Sequence, residues 1–249
     1  MTGILDEYPG ASAAYSLRLL NTDYTGDAVI VRRASDNATQ NVGFVDGELD
    51  TTALDTFCSG TDGFVATWFD QSGNGVNTTQ SVASKQPKIY DSVTGVILEN
   101  GKPSIYFDGV DDGLEFTNAI SYSNTYTFSV INPLIDDIYS FFTDGSAVAP
   151  IAASGSTSSY TFAYGINSIY INSNILTGST RDDFYNATTN NQTLTTVDLD
   201  SSVNSITSVF NRVSFAMNGV VQELIIYNTD QSTNRTGIET NINNHYSIY

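Results

Sequence analysis

Three places in the chain group side chains that could do chemistry. Asp70-Gln71-Ser72-Gly73-Asn74-Gly75-Val76-Asn77 follows the aromatic and β-branched run Phe64 to Phe69. It brings a carboxylate, amides and a hydroxyl into a turn whose two glycines accept backbone angles that other residues resist. Asp108-Gly109-Val110-Asp111-Asp112-Gly113-Leu114 repeats that acidic, glycine-bearing pattern after the strand-like Pro103 to Phe107. Glu223 alternates with apolar residues in Val220 to Tyr227, so it faces either a groove or solvent.

Oxygen donors of this kind serve glycoside hydrolysis, calcium binding or sugar recognition. A retaining glycosidase needs two carboxyl groups roughly 5 to 5.5 Å apart, and the candidates are Asp70, Asp108, Asp111, Asp112, Glu115 and Glu223. Calcium would take Asp108, Asp111 and Asp112, or Asp70 with Asn74 and Asn77. Neither spacing is that of an EF-hand, and aspartate-stabilised turns account for both loops without an ion. For sugar recognition, Trp68 and Tyr106, with Tyr164 and Tyr170, offer ring faces, while Asp70, Asn74, Asn77, Asp108 and Glu223 offer partners for hydroxyls. The alternation of Trp68 with Phe64 and Ala66 fits a core position equally well.

Other chemistries lack their residues. The lone His245 and lone Cys58 cannot build a zinc site or an internal disulfide, and no phosphate-binding glycine loop occurs. Cys58, beside Leu54 and Phe57, reads as a small buried hydrophobe, and His245 as a surface residue on the last turn of a helix. The formal charge of -18, from 27 acidic and 9 basic residues, argues against nucleic acid, since only Arg32-Arg33 pair up. No apolar run approaches the ~20 residues of a membrane-spanning helix, and the first ten residues lack the pattern of a leader.

The elements that must position these groups are strands. Charged residues make up 14% of the chain and aromatic residues 12%, a balance that favours strands over charged helical surfaces. Residues 1–249 read as one antiparallel β-sandwich domain, with strand after strand in the second half. Asn218-Gly219 is predicted to turn a hairpin between Val213 to Met217 and Val220 to Tyr227. Ser173 to Asp200 reads as a polar surface excursion with one or two edge strands. A short helix is predicted over Thr51 to Cys58, capped by Asp50, and a closing helix over 232–246, capped by Ser232 with Ile238, Ile242 and Tyr246 on its buried stripe.

The runs Ala14-Tyr15-Ser16, Tyr24-Thr25-Gly26, Val31 to Asp36, Asp55 to Cys58 and Asp70 to Gly75 resemble the N-terminal part of the catalytic domain of the arabinofuranosidase B family. That resemblance implies a concanavalin-like β-sandwich, or jelly roll. In that family the nucleophile is a glutamate on a mid-domain strand, and the acid/base is an aspartate just upstream of the strand corresponding to Val220 to Tyr227. Here no Asp or Glu stands between Asp144 and Asp182 or between Asp200 and Glu223, and Phe210-Asn211-Arg212-Val213 occupies the acid/base region. The family's paired cysteines are also absent. The expectation is therefore a non-catalytic, glycan-directed surface module with no catalytic residue, binding a glycan or host cell-surface polysaccharide. The resemblance extends to modules of bacteriophage and exported bacterial proteins, which implies a virion surface or extracellular setting, other virion proteins as neighbours, a possible homo-oligomer and a possible calcium ion. The rival expectations are a glycosidase pairing Glu223 with Asp108 or Asp112, and a purely structural decoration protein. Asp70 to Asn77 is read first as a structural corner and second as a ligand contact.

Overall fold

A computed structural model describes residues 2–120, 124–134, 139–143, 151–153, 166–178, 180–199, 206–209 and 216–249. Strands dominate, and 17 of them join one hydrogen-bonded network that folds over into two layers. Every ladder among the described residues is antiparallel. In the first layer the long central strand Asn218–Tyr227 pairs on one side with Thr125–Pro133, which leads through Thr193–Leu199 to Ile166–Ile171. Its other side is shared by Ile105–Asp108 and Ala13–Ser16, laid end to end. The second layer includes Thr39–Val42, Val29–Arg33, Gly63–Trp68, Thr78–Thr79 and Leu114–Ile120.

Alternation along each strand divides the apolar residues between two cores. Tyr15, Trp68, Phe107, Phe116, Leu224 and Ile226 pack between the layers. Ala14, Phe128, Ile225 and Tyr227 point to the outer face of the first layer, where Ile238, Ile242 and Tyr246 of the closing helix cover them. That stripe is the expected one. The helix itself spans Arg235–Tyr246, shorter than predicted, because Ser232 does not cap it. Ser232 bonds back to Asp230 instead, through its amide at 2.8 Å and its hydroxyl at 3.0 Å. The helix Thr51–Cys58 matches its prediction, with Asp50 Oδ1 accepting the Ala53 amide at 2.9 Å. Cys58 is buried, as expected.

Two expectations fail for identifiable reasons. Asn218-Gly219 does not turn a hairpin: Asn218 pairs with Asp108, and Gly219 pairs with Phe107 on one side and Pro133 on the other. The glycine is required by close approach, since a Cβ there would stand 2.4 Å from the Asn132 carbonyl oxygen. The stretch read as a surface excursion holds the helix Arg181–Thr188 and the largely buried strand Thr193–Leu199, an interior member of the first layer. Its threonines are β-branched and suit a pleated interior, so their polarity was a poor guide to exposure. Tyr164, offered above as a ring face for a sugar, and the Phe210 to Val213 segment lie outside the described residues.

Candidate functional site

The loop Asp70 to Asn77 is built by hydrogen bonds that turn inward. Asp70 Oδ1 accepts the amides of Ala14 at 2.8 Å and Ser72 at 2.9 Å, while Oδ2 accepts the Ser72 hydroxyl at 2.8 Å and the Val76 amide at 3.1 Å. Asn77 Oδ1 takes the Asp70 amide at 3.0 Å, and Asn74 Nδ2 donates to the Ala11 carbonyl at 2.9 Å. Gln71, wholly buried, accepts the Leu20 amide and donates to the carbonyls of Ser16 and Arg18. Gly73 and Gly75, at φ +88° and +71°, supply the left-handed backbone that lets the chain wrap around the carboxylate. Both Asp70 oxygens are engaged within the protein, the arrangement expected of the structural corner that is the first reading of this loop. Asn74 remains exposed and Asn77 half-buried.

Trp68 does not present its ring to a sugar. The side chain is wholly buried between the layers, with ring centroids 5.7 Å from Tyr15. Tyr106 is half-buried, its hydroxyl 3.5 Å from Asn218 Oδ1.

Glu223 is also corrected. It faces neither groove nor solvent but lies wholly buried under the closing helix. Arg18 Nε and Nη2 donate to its two oxygens at 2.7 and 3.0 Å, Ser16 Oγ donates at 2.8 Å, and the Tyr246 hydroxyl at 3.2 Å. Burial opposes the charge, but the Arg18 guanidinium and these donors hold the carboxyl below its usual range. His245 is not a surface residue: burial, with Arg18 nearby, lowers it to about 4 and keeps it neutral. Arg18 is the functional partner that sequence reasoning missed. Its signal was present, since a lone cation in Ala13 to Leu20, otherwise almost wholly apolar, has to find a buried anion.

The acidic corner keeps its three carboxylates together. Asp108, Asp111 and Asp112 each bring an oxygen within 4.8 Å of the others. Asp112 is 5% exposed and accepts the Asp108 amide at 3.0 Å, while Asp108 Oδ1 accepts the Val110 amide at 2.8 Å. Burial first, and the neighbouring Asp108 charge second, push Asp112 up to about 7. This all-oxygen donor set is of the type that holds a hard divalent cation such as calcium.

The raised value makes Asp112 a measurable liability. Its unfolded-state value is near 3.8, so the native state binds the proton more tightly, and stability falls as pH rises from about 4 through 7. Asp112→Asn is expected to remove that slope and raise stability at pH 8 by about 1–3 kcal/mol, read by urea unfolding at several pH values. An unchanged slope would show that another group titrates.

The corner and Glu223 do not form a catalytic pair. Asp108 pairs with Asn218, so the central strand separates it from Glu223 by roughly 16 Å at ~3.3 Å per residue. The Asp70 loop is tied to the strand Ala13–Ser16 through the Ala14 amide and to Leu114–Ile120 through the Asn77 carbonyl, which accepts the Thr117 amide.

Against this geometry, the chain matches known proteins in two ways. Residues 6–103 match the family model described as the catalytic domain of alpha-L-arabinofuranosidase B. Over 75 residues the chain is 37% identical to a probable alpha-L-arabinofuranosidase B of Aspergillus terreus and 36% identical to the alpha-L-arabinofuranosidase B of Penicillium canescens. That stretch is 29% of this chain and only 15% and 16% of those relatives' length. Among solved structures, a GH54 a-l-arabinofuranosidase soaked with a cyclic sulfate inhibitor superposes with a TM-score of 0.58, at 16% identity, over 93% of this chain and 62% of that one. An arabinofuranosidase complexed with arabinofuranosyl-alpha-1,2-xylobiose gives 0.55 over the same shares. The likeness establishes an arabinofuranosidase-like β-sandwich fold.

Proposed function

We propose that the chain is a carbohydrate-recognition module that keeps an arabinofuranosidase-like sandwich without arabinofuranosidase chemistry. Beside the missing family carboxylates, the observation that carries this reading is the state of Glu223, the acid on which the rival glycosidase reading depends. A nucleophilic carboxylate must reach an anomeric carbon and have a proton-donating acid about 5 to 5.5 Å away. Glu223 instead lies wholly buried, ion-paired through both oxygens to Arg18. The glycan half of the proposal draws its support from the fold and the N-terminal family match, with neutral arabinose-containing glycans as the ligand class. Such polymers are met outside cells, so an exported assembly or a virion surface is part of the same proposal.

Two assays on the intact chain test it. A glycan panel is expected to retain the protein on neutral arabinose-containing oligosaccharides, and a 4-nitrophenyl arabinofuranoside is expected to stay uncleaved. Release of nitrophenol above background overturns the non-catalytic half. A blank panel overturns the glycan half and leaves a structural decoration role.

A further inference from the structure

On the edge of the sandwich, Tyr24, Asp27, Gly43, Phe44, Asp46 and Gly47 line an open cleft of about 430 Å³. That volume lies within the range of small-ligand sites. One wall is the turn Tyr24 to Asp27. The other is the hairpin of Phe44–Val45 and Glu48–Leu49, joined by Asp46 and Gly47 at φ +53° and +82°. Positive φ at both turn residues is the tight two-residue geometry that an Asp-Gly pair favours. The hairpin is fastened to the body of the protein by the Leu19 amide on the Gly47 carbonyl at 2.8 Å and the Leu49 amide on the Leu17 carbonyl at 2.9 Å. The walls are therefore fixed.

Tyr24 and Phe44 meet edge to face, with centroids 6.4 Å apart and planes at 76°, and both rings are half-buried. The Tyr24 hydroxyl donates to the Asp27 carbonyl at 2.9 Å, which holds the ring in place. Two glycines keep the space open. A Cβ on Gly26 would stand 2.4 Å from the Tyr24 hydroxyl oxygen, and one on Gly43 would stand 3.1 Å from Asp27 Oδ1. Asp27 Oδ2 accepts from Asn41 Nδ2 at 2.7 Å, while Oδ1 is turned towards Gly43 and the cleft. Asp46 is exposed at the tip.

We infer that this cleft is a binding site for one neutral sugar residue, with its ring against Phe44 and Tyr24 and its hydroxyls donating to the Asp27 and Asp46 carboxylates. The inference rests on the glycan-recognition reading and gives it a location. An aromatic face with carboxylate acceptors at its rim suits a ring that is apolar on one face and bears hydroxyl donors around its edge. Among the described residues no Lys or Arg lines the cleft, so uronate-bearing glycans meet two like charges there.

The amides of Gly26, Gly43 and Gly47 are the reporters. In 15N-labelled protein titrated with arabinofuranosyl-xylobiose and other neutral oligosaccharides, these three resonances are expected to move together. Phe44→Ala is expected to weaken that binding at least tenfold. Asp46→Asn, an exposed change compatible with its positive φ, is expected to weaken it at least threefold without altering the fold. A uronate-bearing analogue is expected to bind more weakly than its neutral counterpart. If neutral sugar binds with unmoved glycine amides and unchanged affinity in Asp46→Asn, the location is wrong and the glycan reading stands. If no neutral sugar binds, or only amine-bearing ligands do, both fall.

Discussion

Replacing Glu223 by Gln is expected to lower the unfolding free energy by about 3–5 kcal/mol, the largest loss foreseen for any polar substitution in the chain. The change leaves Arg18, only 9% exposed, without its counter-charge beneath the closing helix. It also weakens the acceptor shared by Ser16 and Tyr246, which joins the strand Ala13–Ser16 to the helix Arg235–Tyr246. For a chain of this size the thermal midpoint should fall by about 10 °C. Hydrogen exchange should show the helix losing protection first. Replacing both partners by apolar residues, Arg18→Met with Glu223→Leu, should recover much of the loss, because the penalty lies in the orphaned charge and not in the absence of a pair. The pH dependence has a definite sign. The depressed native value of Glu223 contributes stability that is complete above its unfolded value near 4.5 and is lost as pH falls through the native one. His245, near 6.5 when unfolded and about 4 when folded, adds a loss in the same direction between those values, because only the unfolded chain takes up the proton. In Glu223→Gln the acid-limb slope below pH 4.5 should flatten while the loss starting near 6.5 persists. A variant of undiminished stability would contradict the buried ion pair.

Much of this architecture could be read in advance because its signals are local. The Asp50 cap, the Ile238-Ile242-Tyr246 stripe and the alternation of the central strand each depend on neighbours within a few residues. What could not be read depends on the partner across the sheet. Gly219 looks the same in sequence whether it turns a hairpin or lies in a crowded strand against Asn132, and only the register of Thr125–Pro133 decides. Glu223 alternates correctly in either case, but whether its face meets solvent or a helix is set by residues 235–246 folding back over it. The acidic corner was legible as a cluster because its carboxylates lie within five residues. The cleft at Tyr24 and Phe44 was not, since its walls come from two separate turns. The Asp46-Gly47 pair that shapes one wall was nevertheless a plain hairpin signal, and a better one than Asn218-Gly219.

Asp70→Ala is the second large effect, with an expected loss of about 3 kcal/mol, because the carboxylate accepts three backbone amides and a hydroxyl. Hydrogen bonds to a charged acceptor contribute about 1.5–3 kcal/mol each in net terms, and a buried donor left unmade costs about 1–3 kcal/mol. Removing the carboxylate strands the Ala14 amide, which comes from a strand 56 residues away in the chain, as well as the amides of Ser72 and Val76. Water can reach the half-buried Ser72 and Val76, so the full sum is not realised, but Ala14 is wholly buried beside the central strand. The loss should therefore appear as loosening between Ala13–Ser16 and the loop. Asp70→Asn should lose less, because its amide oxygen still accepts from Ala14 while its nitrogen meets donors on the other side. Calcium distinguishes this account from a metal-binding one. If the loop is a corner held by its own carboxylate, the difference between wild type and Asp70→Ala is the same with 5 mM calcium as with a chelator, at about that one concentration of added ion. A wild-type midpoint that rises with calcium, with no rise in Asp70→Ala, would show that the carboxylate serves an ion and that the four inward hydrogen bonds are only one of its states. The corner reading predicts no such difference, because each Asp70 oxygen already accepts two hydrogen bonds from the protein.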